Sequence, residues 1–417
     1  MTSVCVHGLG YIGLPTAAVL ADAGHAVTGY DTDEAVRETV QNGDIHYEEH
    51  GLADLVAAVR ADGALSVAAE VPTADYHLVC VPTPFDEAAR EADLRYVRSA
   101  AQGIGEVLRA DDVVVLESTV PPGTTIGPFL EALEAPSDLE AGADFSLAYS
   151  PETVMPGRAL AELRTNDRLV GGFTDVSTEA TRRLYESVVT GEIATVRDPT
   201  TAEFVKLLQN TYRDANVALA NEIAKLADDY GIDARAAIED ANRHPRVDLL
   251  QPGPGVGGHC LPVDPWFLGH GSNQLDLVER AREINDGMPA YVADKVSRRL
   301  GSLDGRHVAV LGVAYKGNVD DLRGSPGIAL AEELESHGGP TVALHDPHVS
   351  DSTHRLESLD GATRDADALV VTAAHDEYAS LAPDTVTARM ADDVVVDACD
   401  VLDRERWRDA GATVVTL

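Results

Sequence analysis

Two kinds of hydrophobic pattern alternate along the chain. In its first part, short continuous apolar runs at residues 4–7, 26–30, 77–81, 113–116 and 145–149 are separated by stretches whose apolar positions recur at helical spacing. Continuous runs of this length, bounded by glycine, proline or small polar residues, read as strands buried on both faces, the mark of a parallel sheet covered by helices. From 201 to 230 the pattern becomes one long helical periodicity with few breakers, and a second such stretch runs from 276 to about 300. After about residue 305 the alternation returns, with strands expected at 307–311, 341–345, 368–372 and 394–398. The expected fold is α/β: a Rossmann domain over 1–197, a central helical region with a long helix over 198–300, and a second Rossmann-like domain over 301–417.

The chemistry falls at the turns between these elements. The first run enters Gly8-Leu9-Gly10-Tyr11-Ile12-Gly13, a G-x-G-x-x-G turn between strand and helix. In that context the first glycine allows the tight turn, the second lets a pyrophosphate lie on backbone, and the third lets helix pack on strand. The next strand ends at Asp31, placed to bond the adenine ribose hydroxyls; a carboxylate there favours NAD over NADP, whose extra phosphate it would repel. Later strands end in Pro82-Thr83-Pro84, Glu117-Ser118-Thr119 and Ser150-Pro151-Glu152. Thr83 and Thr119 are candidates to touch cofactor or substrate, ordinary turn chemistry being the alternative. On the long helix Lys206, Asn210 and Arg213 share one face, which is either solvated or functional. A polar cluster, Asn242-Arg243-His244-Pro245-Arg246, precedes the loop Gly255-Val256-Gly257-Gly258-His259-Cys260, and Asp264 follows four residues on. Glycines let such a loop present a cysteine openly, and a thiolate is a strong nucleophile. The last domain lacks a G-x-G-x-x-G turn but offers Lys316 and Arg323, cations suited to a second phosphorylated ligand.

Charge narrows the range of partners. The 417 residues carry 70 Asp and Glu against 32 Lys and Arg, a net −38, and lysine occurs only at 206, 225, 295 and 316. The acids are dispersed rather than gathered in one run. An acidic face for a basic partner is one reading; solubility in a salt-rich cytosol, where ions screen self-repulsion, is the favoured one. Either argues against a nucleic-acid partner. Cys5, Cys80 and Cys399 sit in apolar runs read as buried strands, spaced for neither a disulfide framework nor a zinc site. No run is long enough to span a membrane and no signal-peptide pattern opens the chain, so a cytoplasmic location is expected.

An NAD site beside a presented cysteine suggests a four-electron oxidation. A two-electron alcohol dehydrogenase has no use for a thiol, whereas oxidation to an acid requires the aldehyde to be held as a thiohemiacetal, oxidised to a thioester and hydrolysed. Here the chain resembles the UDP-glucose/GDP-mannose dehydrogenase family along essentially its whole length. The resemblance rests on the glycine turn with Leu14-Pro15, Val81-Pro82-Thr83-Pro84, Glu117-Ser118-Thr119, Ser150-Pro151-Glu152, the Lys206/Asn210/Arg213 helix, Gly257-Gly258-His259-Cys260 with Asp264, and Tyr315-Lys316 with Asp321-Leu322-Arg323. Within the family it is nearest to the branch acting on UDP-N-acetyl-D-mannosamine, through Asn166-Asp167-Arg168 with Gly171-Gly172, through residues 241–247 and 251–260, and through Val263-Asp264-Pro265-Trp266-Phe267. His259 and Val263 stand where UDP-glucose and GDP-mannose enzymes tend to carry serine and lysine. Thr153 and Pro262 depart from the mannosamine pattern, and UDP-N-acetylglucosamine and UDP-glucose 6-dehydrogenases are the alternatives.

The resemblance implies a role for each position. Cys260 would be the nucleophile and Lys206 the general acid/base that steadies the oxyanion, with Asn210 donating a hydrogen bond. Asp264 would lie near Lys206 or the hydrolytic water, which Glu152 and Thr119 would order. NAD would be held by Gly8, Gly10, Tyr11, Ile12, Gly13, Asp31, Thr83, Thr119 and Arg323. The UDP-sugar would be bound by Glu152, Thr153, Val154, Lys206, Asn210, Arg213, His244, Arg246, Gly257, Tyr315 and Lys316. A homodimer is expected, with one of the basic residues reaching across it, and no metal. A two-electron hydroxyacid dehydrogenase, indifferent to Cys260, and a non-catalytic NAD sensor are the competing classes.

Overall fold

The structure, a computed structural model, describes residues 2–417 apart from Glu48, Pro156, His337, Gly338, Asp351 and Ser352. It divides into two compact units: Met1–Gln209 with Trp266–Ser272, and Asn210–Pro265 with Asn273–Leu417. The helix Pro199–Tyr230 passes from the first into the second.

The first unit is built on an eight-stranded sheet. Named by first residue, the strands lie in the order Ile193, Arg168, Ser146, Val113, Tyr76, Ser3, Ala26, Leu65. The six from Leu65 to Ser146 are parallel, and the pair Arg168–Gly172 and Ile193–Val196 runs antiparallel to them. Sequence order reverses between Ser3–His7 and Tyr76–Val79, and the Gly8–Gly13 turn leaves the sheet at this reversal, where open α/β sheets bind ligands. The helix Gly13–Asp22 is buried from Gly13 to Ala21 against Val4 and Val6 on one sheet face. Val79, Val114 and Leu116 belong to the core on the other. Three strands of this sheet escaped the sequence reading: Leu65–Ala68, Arg168–Gly172 and Ile193–Val196. Two of these are the sheet's outermost strands, half-buried and mixed in polarity, and the third carries a charge and two glycines.

The second unit holds a five-stranded parallel sheet in the order Thr341, His307, Ala368, Val394, Thr413. Its reversal lies between His307–Leu311 and Ala368–Val371, beside the turn Gly312–Asn318. The single helix expected over 276–300 is two, Asp276–Asp286 and Met288–Leu300. Gly287 lies between them and Pro289 occupies the first turn of the second, where a missing N–H costs nothing. Cys5 is buried in its strand, but Cys80 and Cys399 stand just beyond strand ends. Among the described residues no helix is long and apolar enough to cross a membrane.

Candidate active site

The three glycines of the first turn are not equivalent. Gly8 has φ of +86°, and a Cβ there would stand 2.7 Å from the Cys80 carbonyl oxygen; at Gly13 it would stand 1.8 Å from that of Gly8. Chain packing therefore demands both. At Gly10 a Cβ would meet nothing within 4 Å, so this position keeps a surface open for a close-lying ligand. Ile12 provides no side-chain cap for the helix Gly13–Asp22 and no acid occupies its first turn; Leu14 and Thr16 donate to the Gly10 and Ile12 carbonyls and Pro15 has no N–H, so what this helix end offers an anion is chiefly its dipole. The Tyr11 and Tyr47 rings lie tilted against each other with centroids 4.2 Å apart, and the Tyr47 hydroxyl donates to the Gly10 carbonyl. Asp31 accepts N–H bonds from Leu9 at 2.8 Å and Asp33 at 2.9 Å. Both oxygens are thereby oriented, and lone pairs remain for ribose hydroxyls. These residues fit NAD.

The neighbouring turns are tied together. The Thr83 hydroxyl donates to the Thr119 carbonyl at 2.7 Å. Beneath them the buried Glu117 accepts from Arg168 at 2.5 Å, from the Tyr185 hydroxyl and from the Cys80 thiol at 3.3 Å. Burial and the Glu117 carboxylate raise the Cys80 thiol well above its ordinary range, which keeps it a donor. Arg168 also donates to Ser150 Oγ at 3.0 Å and so anchors the turn into Glu152. Lys206, 7% exposed, places Nζ 2.7 Å from the Glu152 carbonyl oxygen and 3.4 Å from its Oε1, while Glu152 Oε2 accepts the Val154 N–H. Thr153 is exposed. One turn before Lys206, the fully buried Glu203 accepts from Gly123 N–H at 2.5 Å, Thr125 N–H at 2.7 Å and the Thr125 hydroxyl at 2.5 Å. Burial lifts its carboxyl to about 7 against those hydrogen bonds. Glu203 and Tyr185 went unnoticed in the sequence, Glu203 because it reads as one more acid on a helix in an acidic chain.

In the second unit Asn210 Nδ2 donates to Asp264 Oδ2 at 2.6 Å, and Asp264 is 4% exposed. The Cys260 carbonyl oxygen accepts the N–H groups of Val263 and Asp264, turning the chain into the helix Asp264–Leu268 and leaving the Cys260 residue exposed. The loop's glycines are forced by contact. A Cβ on Gly257 would lie 2.5 Å from the Gly324 carbonyl oxygen, and one on Gly258 2.9 Å from the Tyr315 ring. Gly258 N–H donates to the Arg323 carbonyl at 2.7 Å. The Arg323 guanidinium forks onto Asp321, whose carboxyl is lowered by those bonds despite burial, and Lys316 Nζ lies 5.7 Å from the Tyr315 ring centroid.

The turn bearing Tyr315 and Lys316 is set by a pair absent from the sequence reading. His375 Nδ1 accepts the Asn318 N–H at 2.9 Å, so its proton lies on Nε2, 3.0 Å from Asp346 Oδ2. Asp346 also accepts the Val313 and Ala314 N–H groups. Burial alone would raise the Asp346 carboxyl, but bonds from His375 and from the Ala314 and His348 N–H groups bring it to about 2. Arg213, His244 and Arg246 are exposed, and His244 Nδ1 accepts the Arg246 N–H at 3.3 Å.

Three consecutive stretches of the chain match one family. Residues 2–189 correspond to the NAD binding domain, 200–287 to the central domain and 309–404 to the UDP binding domain of the UDP-glucose/GDP-mannose dehydrogenase family. The chain belongs to this family. It is an NAD-dependent nucleotide-sugar dehydrogenase, and Gly10 and Asp31 lie within the stretch that matches the NAD binding domain. Among its relatives, the UDP-N-acetyl-D-mannosamine dehydrogenase of Methanococcus maripaludis is 40% identical, covering 99% of this chain and 96% of the relative. The NDP-N-acetyl-D-galactosaminuronic acid dehydrogenase of Ralstonia nicotianae is 40% identical over 95% of each. The solved UDP-D-ManNAc dehydrogenase of Pyrococcus horikoshii superposes with a TM-score of 0.92 at 37% identity, covering 99% of this chain and 98% of that one.

Proposed function

We propose that this dehydrogenase oxidises the C6 hydroxyl of UDP-N-acetyl-D-mannosamine to the carboxylate, giving UDP-N-acetyl-D-mannosaminuronate through a covalent adduct on Cys260. The observation that carries the reading is an exposed thiol on a glycine loop whose backbone is held against Tyr315 and Arg323 of the UDP-binding domain. Similarity to mannosamine dehydrogenases over the whole chain supports the sugar.

In this reading Lys206 takes the hydroxyl proton as the alcohol becomes an aldehyde, and it steadies the negative oxygen that follows. Cys260 adds to the aldehyde carbon through sulfur, and the carbonyl oxygen takes up a proton. Loss of a second hydride, with the hydroxyl proton passing to Lys206, turns that thiohemiacetal into a thioester. Water ordered by Glu152 and Thr119 cleaves it, restoring the thiol and releasing the acid. NAD supplies the acceptor for both hydrides, so two cofactor molecules are reduced per sugar. Asn210 and Asp264 hold the oxygen and the water, Tyr315 and Lys316 the nucleotide, and Arg213, His244 and Arg246 the remainder of the substrate. Arg323 serves the cofactor pyrophosphate.

The enzyme works as a homodimer in the cytoplasm. Support for the dimer comes from the long helix, where Phe204, Leu208, Tyr212, Leu219, Leu226 and Tyr230 are exposed and spaced by four or seven residues along one stripe.

The test is an NADH assay with UDP-N-acetylmannosamine, UDP-N-acetylglucosamine, UDP-N-acetylgalactosamine, UDP-glucose and GDP-mannose. UDP-N-acetylmannosamine is expected to have the highest kcat/KM, with about two NADH per sugar consumed. Cys260→Ser is expected to stop acid formation. A ratio of one, or full acid production by that variant, overturns the mechanism.

A further inference from the structure

A chain of buried amides leads from a buried ion pair to the root of the cysteine loop. Arg282 Nη1 donates to Asp214 Oδ1 at 2.6 Å, and Asn285 Nδ2 donates to the same oxygen at 2.8 Å. Asn221 Nδ2 donates to Asn285 Oδ1 at 2.9 Å, and Asn221 Oδ1 accepts the Gly253 N–H at 2.9 Å. Asp214, Asn221, Arg282 and Asn285 are at most 4% exposed. Asp214 and Asn221 lie two turns apart on the helix Pro199–Tyr230, and Arg282 and Asn285 lie on Asp276–Asp286.

Both ends of this relay have only one possible role. The carboxylate of Asp214 can only accept and the amide of Gly253 can only donate, so neither asparagine can be flipped. A relay with one orientation, closed from water and anchored on Arg282, which Asp286 also engages, holds its far end firmly, since each bond polarises the next. Beyond Gly253 the loop passes Gly255, where a Cβ would lie 3.5 Å from the Asn285 carbonyl oxygen, and it is caught a second time at Gly258 by the Arg323 carbonyl. Cys260 follows two residues later.

We propose that Asn221 is a positioning residue for Cys260: through Gly253 it fixes the start of the loop that carries the thiol. This rests on the reading of Cys260 as nucleophile. Without the Asn221 oxygen the Gly253 N–H is left without its acceptor, and the start of the loop is held through the other side of that peptide group, where Arg235 donates to the Pro252 carbonyl at 2.7 Å, and at Gly258 by Arg323. The thiol then meets the aldehyde carbon in fewer productive geometries, while the dinucleotide turn is untouched.

The experiment compares Asn221→Ala with the wild-type enzyme by steady-state kinetics, NAD titration and the rate of Cys260 alkylation by iodoacetamide, with Cys260→Ser as the blank. The expected result is a kcat lower by ~10- to 100-fold, unchanged NAD affinity, fewer than two NADH per sugar as aldehyde escapes, and faster alkylation of the loosened loop. Asn221→Ser, which leaves room for a bridging water, replaces the alanine variant if that fails to fold, and the same changes to a smaller degree are expected. Unchanged kcat and alkylation in a folded variant overturn the proposal. Full acid production by Cys260→Ser instead overturns the nucleophile reading, and the alkylation rate still reports whether Asn221 holds the loop.

Discussion

Gly10 and Gly13 are three residues apart and answer to different demands. A side chain at Gly13 would collide with the backbone of its own turn, whereas one at Gly10 would meet open space. Gly13→Val is therefore expected to cost ~3 kcal/mol or more in stability, and Gly10→Val to leave thermal unfolding nearly unchanged while abolishing NAD binding. Parallel thermal melts and NAD titrations check both; equal damage to stability from the two substitutions would remove the argument for an open cofactor face at Gly10. The same logic governs Gly257 and Gly258, whose missing side chains make room for Gly324 and Tyr315. Residue types alone revealed these glycines as special, but not which neighbour each must admit, because those neighbours are distant in sequence.

The turn of helix carrying Lys206 also carries Glu203, which gathers Gly123 and Thr125 onto one carboxylate. Its folded value of about 7 stands above the ordinary 4.5, so between these values the folded chain keeps a proton that the unfolded chain has lost. The contribution of this group is fully present below 4.5 and is lost as pH rises through 7, a change of about 3 kcal/mol at most. Glu203→Gln has no such proton, so the difference in melting temperature between wild type and variant should vary from about pH 5 to about pH 8. A constant difference would mean that Glu203 titrates normally. Elements such as this helix and the central strands were legible because burial on all sides leaves continuous or strictly periodic apolar patterns. The outermost strands of the first sheet, the outer strand Thr413–Thr416 of the second and the break at Gly287 were not, since half-buried strands mix polarities and a single glycine is often tolerated within a helix. The supports of the site were hidden for another reason. Glu117 with Arg168, and Asp346 with His375, become partners only when separate strands are laid side by side. Cys260, Lys206 and Asp31 stood out individually because each occupies a recognisable turn or helix position.

For the molecule as a whole, 70 acids against 32 bases make self-repulsion the dominant long-range force. At about 1 M salt the screening length falls to about 3 Å, which silences all but touching charges. Activity and a dimeric sedimentation coefficient are expected at that salt, and both should be lost on dialysis into dilute buffer; an active dimer in dilute buffer would show that the charge serves another purpose. The second unit also has a practical boundary within it. The loop bearing Cys260 is gripped by Asn221 at its root and by Tyr315 and Arg323 along its side, all residues of that unit. An engineer who replaced only residues 301–417 with those of a relative would slide a foreign surface under Gly257 and Gly258. A graft that travels with its own residues 210–265 keeps tooth and socket together, so the cysteine loop and the surface it rests on are inherited as one cassette.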